Sequence, residues 1–169
     1  MIQLLGAVLI AVCCGWLGEQ KARKLAIRVQ VLEELLNGLG RMERELELRQ
    51  MPLSHLMEDL GKEAAPAVRG LFRGCRAALG NLGQERFDTT WMRLVGEIPG
   101  LEREDQRTLL PLGTVLGRYS GREQGAAISG VCRELERRRE EARQNSVRLG
   151  RVYRTIGAIS GGFLIILLL

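Results

Sequence analysis

Residues 120–169 read SGREQGAAISGVCRELERRREEARQNSVRLGRVYRTIGAISGGFLIILLL, an unbroken helical pattern with no proline in it. It opens on a capping box: the Ser120 hydroxyl can accept from the backbone N–H of Glu123 while that glutamate reaches back to the Ser120 N–H. Ile128, Leu135, Ala142, Leu149 and Ile156 recur every seven residues among dense Arg and Glu, which predicts an amphipathic helix with one narrow buried seam. Arg148, Arg151 and Arg154 then form a basic collar, and residues 155–169 that follow carry no charge. A helix that starts in water and ends in lipid is the expected reading, with 155–169 a C-terminal transmembrane segment.

The other end of the chain mirrors it. Residues 1–18 are apolar apart from Gln3, with Trp16 near the close and Glu19-Gln20-Lys21 after it. Eighteen residues of helix cover about 27 Å, enough for a hydrocarbon core of about 30 Å with slight thinning. A secretory signal carries its positive charge before the apolar run, whereas here the charge follows it, so a transmembrane helix is expected. The basic flanks of both apolar runs face residues 19–154, which places that stretch in the cytoplasm.

From Leu25 the first helix is expected to continue, because Leu25, Leu32, Leu39 and Leu46 are also seven apart, with Val29 and Leu36 in adjoining positions. Gly38 and Gly40 point to a bend near Asn37–Gly40, and Met51-Pro52 ends the helix. Four short helical patterns follow. Pro52 and Pro66 each suit a first helical turn. Leu53, Leu56, Met57 and Leu60 make one apolar face, Val68, Leu71, Phe72, Cys75 and Leu79 a second, and Phe87, Trp91, Leu94, Val95 and Ile98 a third stopped by Pro99-Gly100. The fourth runs from about Glu102 through Leu109, Leu112 and Leu116 to Gly117, kinked at Pro111. No segment alternates with period two. The expected fold is all-α: a six-helix cytoplasmic bundle whose two long antiparallel outer helices continue into the membrane segments. If both leave the membrane on one side, residues whose numbers sum to about 174 face each other: Leu25 with Leu149, Leu32 with Ala142, Leu39 with Leu135, Leu46 with Ile128.

Charge and composition narrow the function. The net charge is +5 over 169 residues, but Glu19–Arg28 and Arg148–Arg154 contribute +3 each and the middle is close to −1. Basic charge confined to the flanks of apolar runs speaks for membrane topology and against nucleic acid, as does an aromatic content of 4%. Cys13, Cys14, Cys75 and Cys132 show no metal or redox spacing. There is no P-loop, the sole histidine His55 has no second ligand nearby, and acidic residues pair with arginines three or four away, the pattern of solvated helix pairs. No enzyme, cofactor or metal site is expected. What such a chain offers is a surface, and the expected docking end lies around Pro52–Met57 and Leu116–Glu123, with Ser54, His55, Arg118 and Arg122 as contact residues and Arg137, Arg138 and Glu140 as a side face.

The opening Met-Ile-Gln-Leu-Leu-Gly-Ala-Val-Leu-Ile, the Met51–Leu56 turn, the block Leu101–Ile128 with Leu112–Gly117 and Gln124, and the ending from Val152-Tyr153-Arg154 to Gly161-Gly162-Phe163 resemble the stage III sporulation protein AB family of endospore-forming bacteria along the whole chain. Two departures are Pro111, where family members more usually carry an ordinary helix former, and the high arginine content. The soluble part of that family is similar to the cytoplasmic six-helix domains of the inner-membrane platform protein of type II secretion and type IV pilus machines. The resemblance implies a scaffold in the mother-cell membrane around the forespore, part of a channel apparatus with other membrane subunits. It also implies docking of a secretion-type ATPase like stage III sporulation protein AA. Rival readings are a platform subunit of an ordinary secretion or pilus system and a membrane-anchored signalling adaptor with no ATPase partner.

Overall fold

The computed structural model describes residues 2–49, 51–80 and 86–168, with the backbone alone over most of 2–21 and 149–168. Among these residues the chain is all-helical without a strand: α1 (Ile2–Leu48), α2 (Leu53–Glu63), α3 (Pro66–Gly80), α4 (Phe87–Gly96), α5 (Arg103–Leu109), the single turn α6 (Leu112–Val115) and α7 (Gly121–Leu168). The fourth short pattern is split as the sequence suggests, with Leu110 and Pro111 forming the turn between α5 and α6. The chain forms two compact units. One is Gln30–Arg139, narrower than the expected bundle of 19–154, and the other joins 1–29 with 140–169.

Within Gln30–Arg139 the core is built from the predicted faces. Leu56, Met57 and Leu60 of α2, Val68, Leu71, Phe72 and Cys75 of α3, and Trp91, Leu94 and Val95 of α4 are buried, with Leu109, Leu112 and Leu116 beneath them. Leu53, Leu79 and Phe87, at the ends of their faces, are half-buried. On α1 the seam is Leu32, Leu35, Leu39, Met42 and Leu46, and on α7 it is Gln124, Ile128, Val131 and Leu135. The expected adjoining positions on α1 were Val29 and Leu36, and both are only half-buried. Spacings of three and four in alternation hold a stripe on one side of a helix, and Leu35 and Met42 complete that alternation where Leu36 does not.

The two long helices run antiparallel here. A Cβ on Gly121 would lie 2.8 Å from the Leu46 carbonyl oxygen, one on Gly125 would lie 2.5 Å from Glu47 Cγ, and Arg139 Nη1 stands 3.9 Å from Glu33 Oε1. Glu33 with Arg139, and Glu47 with Gly125, total 172, and Leu46 with Gly121 totals 167, all below the expected 174. Leu39, Leu46, Ile128 and Leu135 of the expected pairs are all buried. Leu32 and Ala142 are each buried but belong to different units, and the side chain of Leu149 lies outside the described residues.

Three local features have other causes than the sequence suggests. The expected bend at Asn37–Gly40 does not break α1; instead a Cβ on Gly38 would come within 2.7 Å of Phe72 Cζ, so this glycine makes room for the α3 ring. Pro66 opens α3 as expected, but Pro52 stands one residue outside α2 with extended backbone (φ −57°, ψ 134°). At Pro111 the kink has a purpose in the core. Gly113 N–H turns to Leu110 O at 3.1 Å, and the Leu109 carbonyl accepts from the indole N–H of Trp91 at 2.8 Å. Trp91 is thereby fully buried with its one polar atom satisfied.

In the unit formed by 1–29 and 140–169, Ala22 and Ala142 are buried. Among the described residues no helix is long and apolar enough to cross a membrane. Of the two membrane segments expected at 1–18 and 155–169, residues 2–18 and 155–168 are helical in backbone, but nearly all their side chains lie outside the described residues.

Candidate functional site

Where α1 ends, α2 begins and α7 begins, the unit Gln30–Arg139 has a groove of about 700 Å³. Leu46, Met51, Pro52 and Leu53 supply apolar wall, and Glu47, Ser120, Arg122 and Gln124 supply polar edge. The sequence dictates this junction locally. Pro52 stops α1 from continuing and sends the chain into α2. Gly117 adopts φ +78°, a conformation costly for a residue with a Cβ, and so turns the chain back toward α7.

Gln124 holds the turn in place. Its side chain is 6% exposed, its amide nitrogen donates to Tyr119 O at 2.6 Å, and its oxygen accepts from Gly117 N–H at 3.4 Å. The capping box forms as expected: Ser120 N–H donates to Glu123 Oε2 at 3.0 Å and Glu123 N–H to Ser120 Oγ at 3.4 Å. Hydrogen bonds from the Ser120 hydroxyl and then its backbone hold the Glu123 carboxyl below its ordinary range. A second box closes α5, where Glu102 N–H donates to Asp105 Oδ2 at 3.1 Å.

The expected contact residues fall in three places. Arg122 is exposed on the groove, with Ser54 half-buried and His55 exposed in the first turn of the adjoining α2. Arg118 is exposed beside it, its Nη2 4.0 Å from Asp88 Oδ2. Asp88 is held below its ordinary range by its hydrogen bonds to Arg86 first. Further along α7, exposed Arg137 is bound to Glu134 at 2.5 Å. Arg138 is only 18% exposed; its Nε donates to Glu134 Oε1 at 2.9 Å and its Nη1 is 3.9 Å from Asp105 Oδ1, a fully buried carboxylate. This arginine ties α7 to α5. Glu140 is exposed in the other unit and accepts from Gln144 at 3.2 Å.

Leu53 of the groove lies within the expected stretch Pro52–Met57, whereas Met51 and Glu47 carry no chemical signal by which a sequence would single them out. Gln124 offered one: a glutamine on the apolar stripe of α7, which needs partners wherever it is buried. The site presents apolar surface edged by one arginine and one glutamate.

The family model described as Stage III sporulation protein AB matches residues 3–169. A relative from Bacillus subtilis (strain 168), named Stage III sporulation protein AB, is 26% identical over 172 residues that cover the whole of both chains. No solved structure matches.

Proposed function

The chain belongs to the stage III sporulation protein AB family, which implies a role in sporulation, and on that premise we propose that it is a non-enzymatic platform anchored in the mother-cell membrane around the forespore, where its helical bundle docks a secretion-type ATPase of the channel apparatus. The observation that carries the reading is the groove at Met51–Leu53 and Gly117–Gln124. It stands about 30 residues along the chain from either apolar stretch, where one long helix ends and the other begins. Apolar residues 1–18 and 155–169 with basic flanks support the anchoring.

Full-length protein in membranes, crosslinked through a photoreactive group placed at residue 53 or 122, is expected to capture the cognate ATPase. Leu53→Asp and Arg122→Glu are expected to weaken capture without changing the helical content of the protein. Absence of any association, with ATP hydrolysis unaltered by the full-length protein, would replace this reading by that of a membrane adaptor with no ATPase partner.

A further inference from the structure

The two units divide the formal charge completely. Gln30–Arg139 holds 17 Lys and Arg against 17 Asp and Glu, whereas 1–29 with 140–169 holds 8 basic and 3 acidic residues, so the whole net charge of +5 lies in the second unit. Within it the basic residues crowd toward the apolar stretches. Lys21, Arg23, Lys24 and Arg28 fall in a segment, 20–29, without a single acid, and Arg143, Arg148, Arg151 and Arg154 in another, 142–155. Each segment spans no more than about 21 Å of helix next to its apolar run.

In the other unit many charges are paired, as Arg41 is with Glu63, Arg137 and Arg138 with Glu134, and Arg139 with Glu33. Here Arg23, with its side chain 74% exposed, has Glu19 at 3.3 Å, and Lys24, Arg143 and Arg148 are exposed. Large apolar side chains are interleaved with them at the surface: Trp16 is 66% exposed, Ile27 48%, Val147 62% and Val152 42%. A surface that alternates cations with exposed apolar groups, and has a tryptophan where an apolar run meets charge, matches the headgroup region of a bilayer. Positive charge in that position attracts acidic headgroups, an attraction that adds up over neighbouring residues.

We propose that this unit binds anionic phospholipid headgroups, so that the protein gathers acidic lipid around its two membrane segments. The proposal rests on the reading of 1–18 and 155–169 as membrane-embedded. The basic residues therefore do more than set orientation during insertion: they hold a lipid annulus in the finished protein.

The test uses full-length protein reconstituted into vesicles of phosphatidylcholine, with spin-labelled phosphatidylglycerol or spin-labelled phosphatidylcholine added and the motionally restricted fraction measured. A severalfold preference for phosphatidylglycerol is expected, falling as sodium chloride is raised. The combined variant Arg148→Gln, Arg151→Gln and Arg154→Gln is expected to lose most of that preference, while Arg→Lys at the same three positions keeps it. A cysteine-accessibility check of orientation in the same vesicles separates lost lipid binding from altered insertion. Equal association of the two lipids by correctly inserted protein overturns the proposal. Displacement of the labelled lipid by inorganic phosphate more effectively than by chloride at matched ionic strength overturns it in favour of a free-phosphate ligand. Release of the protein from the vesicles by alkaline carbonate would instead overturn the membrane reading beneath it.

Discussion

The unit Gln30–Arg139 and the unit formed by 1–29 and 140–169 share the same two long helices, yet they solve different physical problems. The first adds four short helices and a turn, and with them the core aromatics Phe72 and Trp91, a balanced charge and a groove. The second has two helical segments, carries all of the net charge, and exposes four large apolar side chains among its described residues. A helix pair on its own buries only a narrow seam, so it depends on what surrounds it; layers of short helices packed on such a pair bury both faces and stand as a folded domain. The difference teaches that heptad regularity in α1 and α7 sets direction and register, while the stability of the chain is concentrated where the short helices lie.

The comparison breaks most easily at the largest expected effect. Trp91→Ala removes the largest fully buried side chain and leaves the Leu109 carbonyl without its donor, and a loss of about 3–5 kcal/mol is expected in denaturant unfolding of the full-length protein in detergent. Leu135→Ala, at a position with no exposure, is expected to lose about 2–5 kcal/mol, whereas Ile27→Ala, 48% exposed in the other unit, should stay within about 0.5 kcal/mol. Equal losses at the two positions would mean that stability is not concentrated as described.

A pair of neighbouring glycines sharpens the point within one helix. Gly38→Ala drives a Cβ to 2.7 Å from the ring of buried Phe72 and is expected to cost about 1–2 kcal/mol net of its better helix propensity. At Gly40 the nearest atom is the tip of Arg44, at 3.6 Å, so Gly40→Ala is expected to raise stability by about 0.5–1 kcal/mol. Thermal melts of the two single variants would expose a shared sign, which would remove the account of Gly38 as a packing residue.

A comparably small effect is expected at the start of α7. Ser120→Ala is expected to cost about 1 kcal/mol through loss of the cap. Because the folded state holds the Glu123 carboxyl below its ordinary range, its contribution is present above about pH 4.3 and is lost as pH falls through the lowered value. Acid titration should therefore narrow the gap between Ser120→Ala and the unmodified protein. A gap constant from pH 7 down to pH 2 would show that the carboxylate plays no part in the cap.

Much of this was legible in the chain itself. All-α architecture, the order of the helices, the faces of α2, α3 and α4, the Ser120 cap and the interruption at Pro111 follow from periodicity and from the chemistry of capping residues and proline, which act within a few residues. Even the antiparallel direction was legible, because two seams of equal period can meet in few ways, while the offset between the helices differs from the expected one by two to seven in the sum of facing numbers. Tertiary structure decided what depends on distant neighbours. Sequence spacing offered Leu36 for the α1 stripe and the fold chose Leu35 and Met42; Gly38 read as a bend and is a seat for Phe72; Arg138 read as a surface contact and is tied to buried Asp105. In the same way the groove takes in Pro52, Leu53, Gly117, Ser120, Gly121 and Arg122 from the stretches Pro52–Met57 and Leu116–Glu123, but its walls at Leu46, Glu47 and Met51 and the clasp of Gln124 came only with the packing. Local sequence sets which conformations a segment prefers, and only contact between segments far apart in the chain determines which of its side chains is covered and by what.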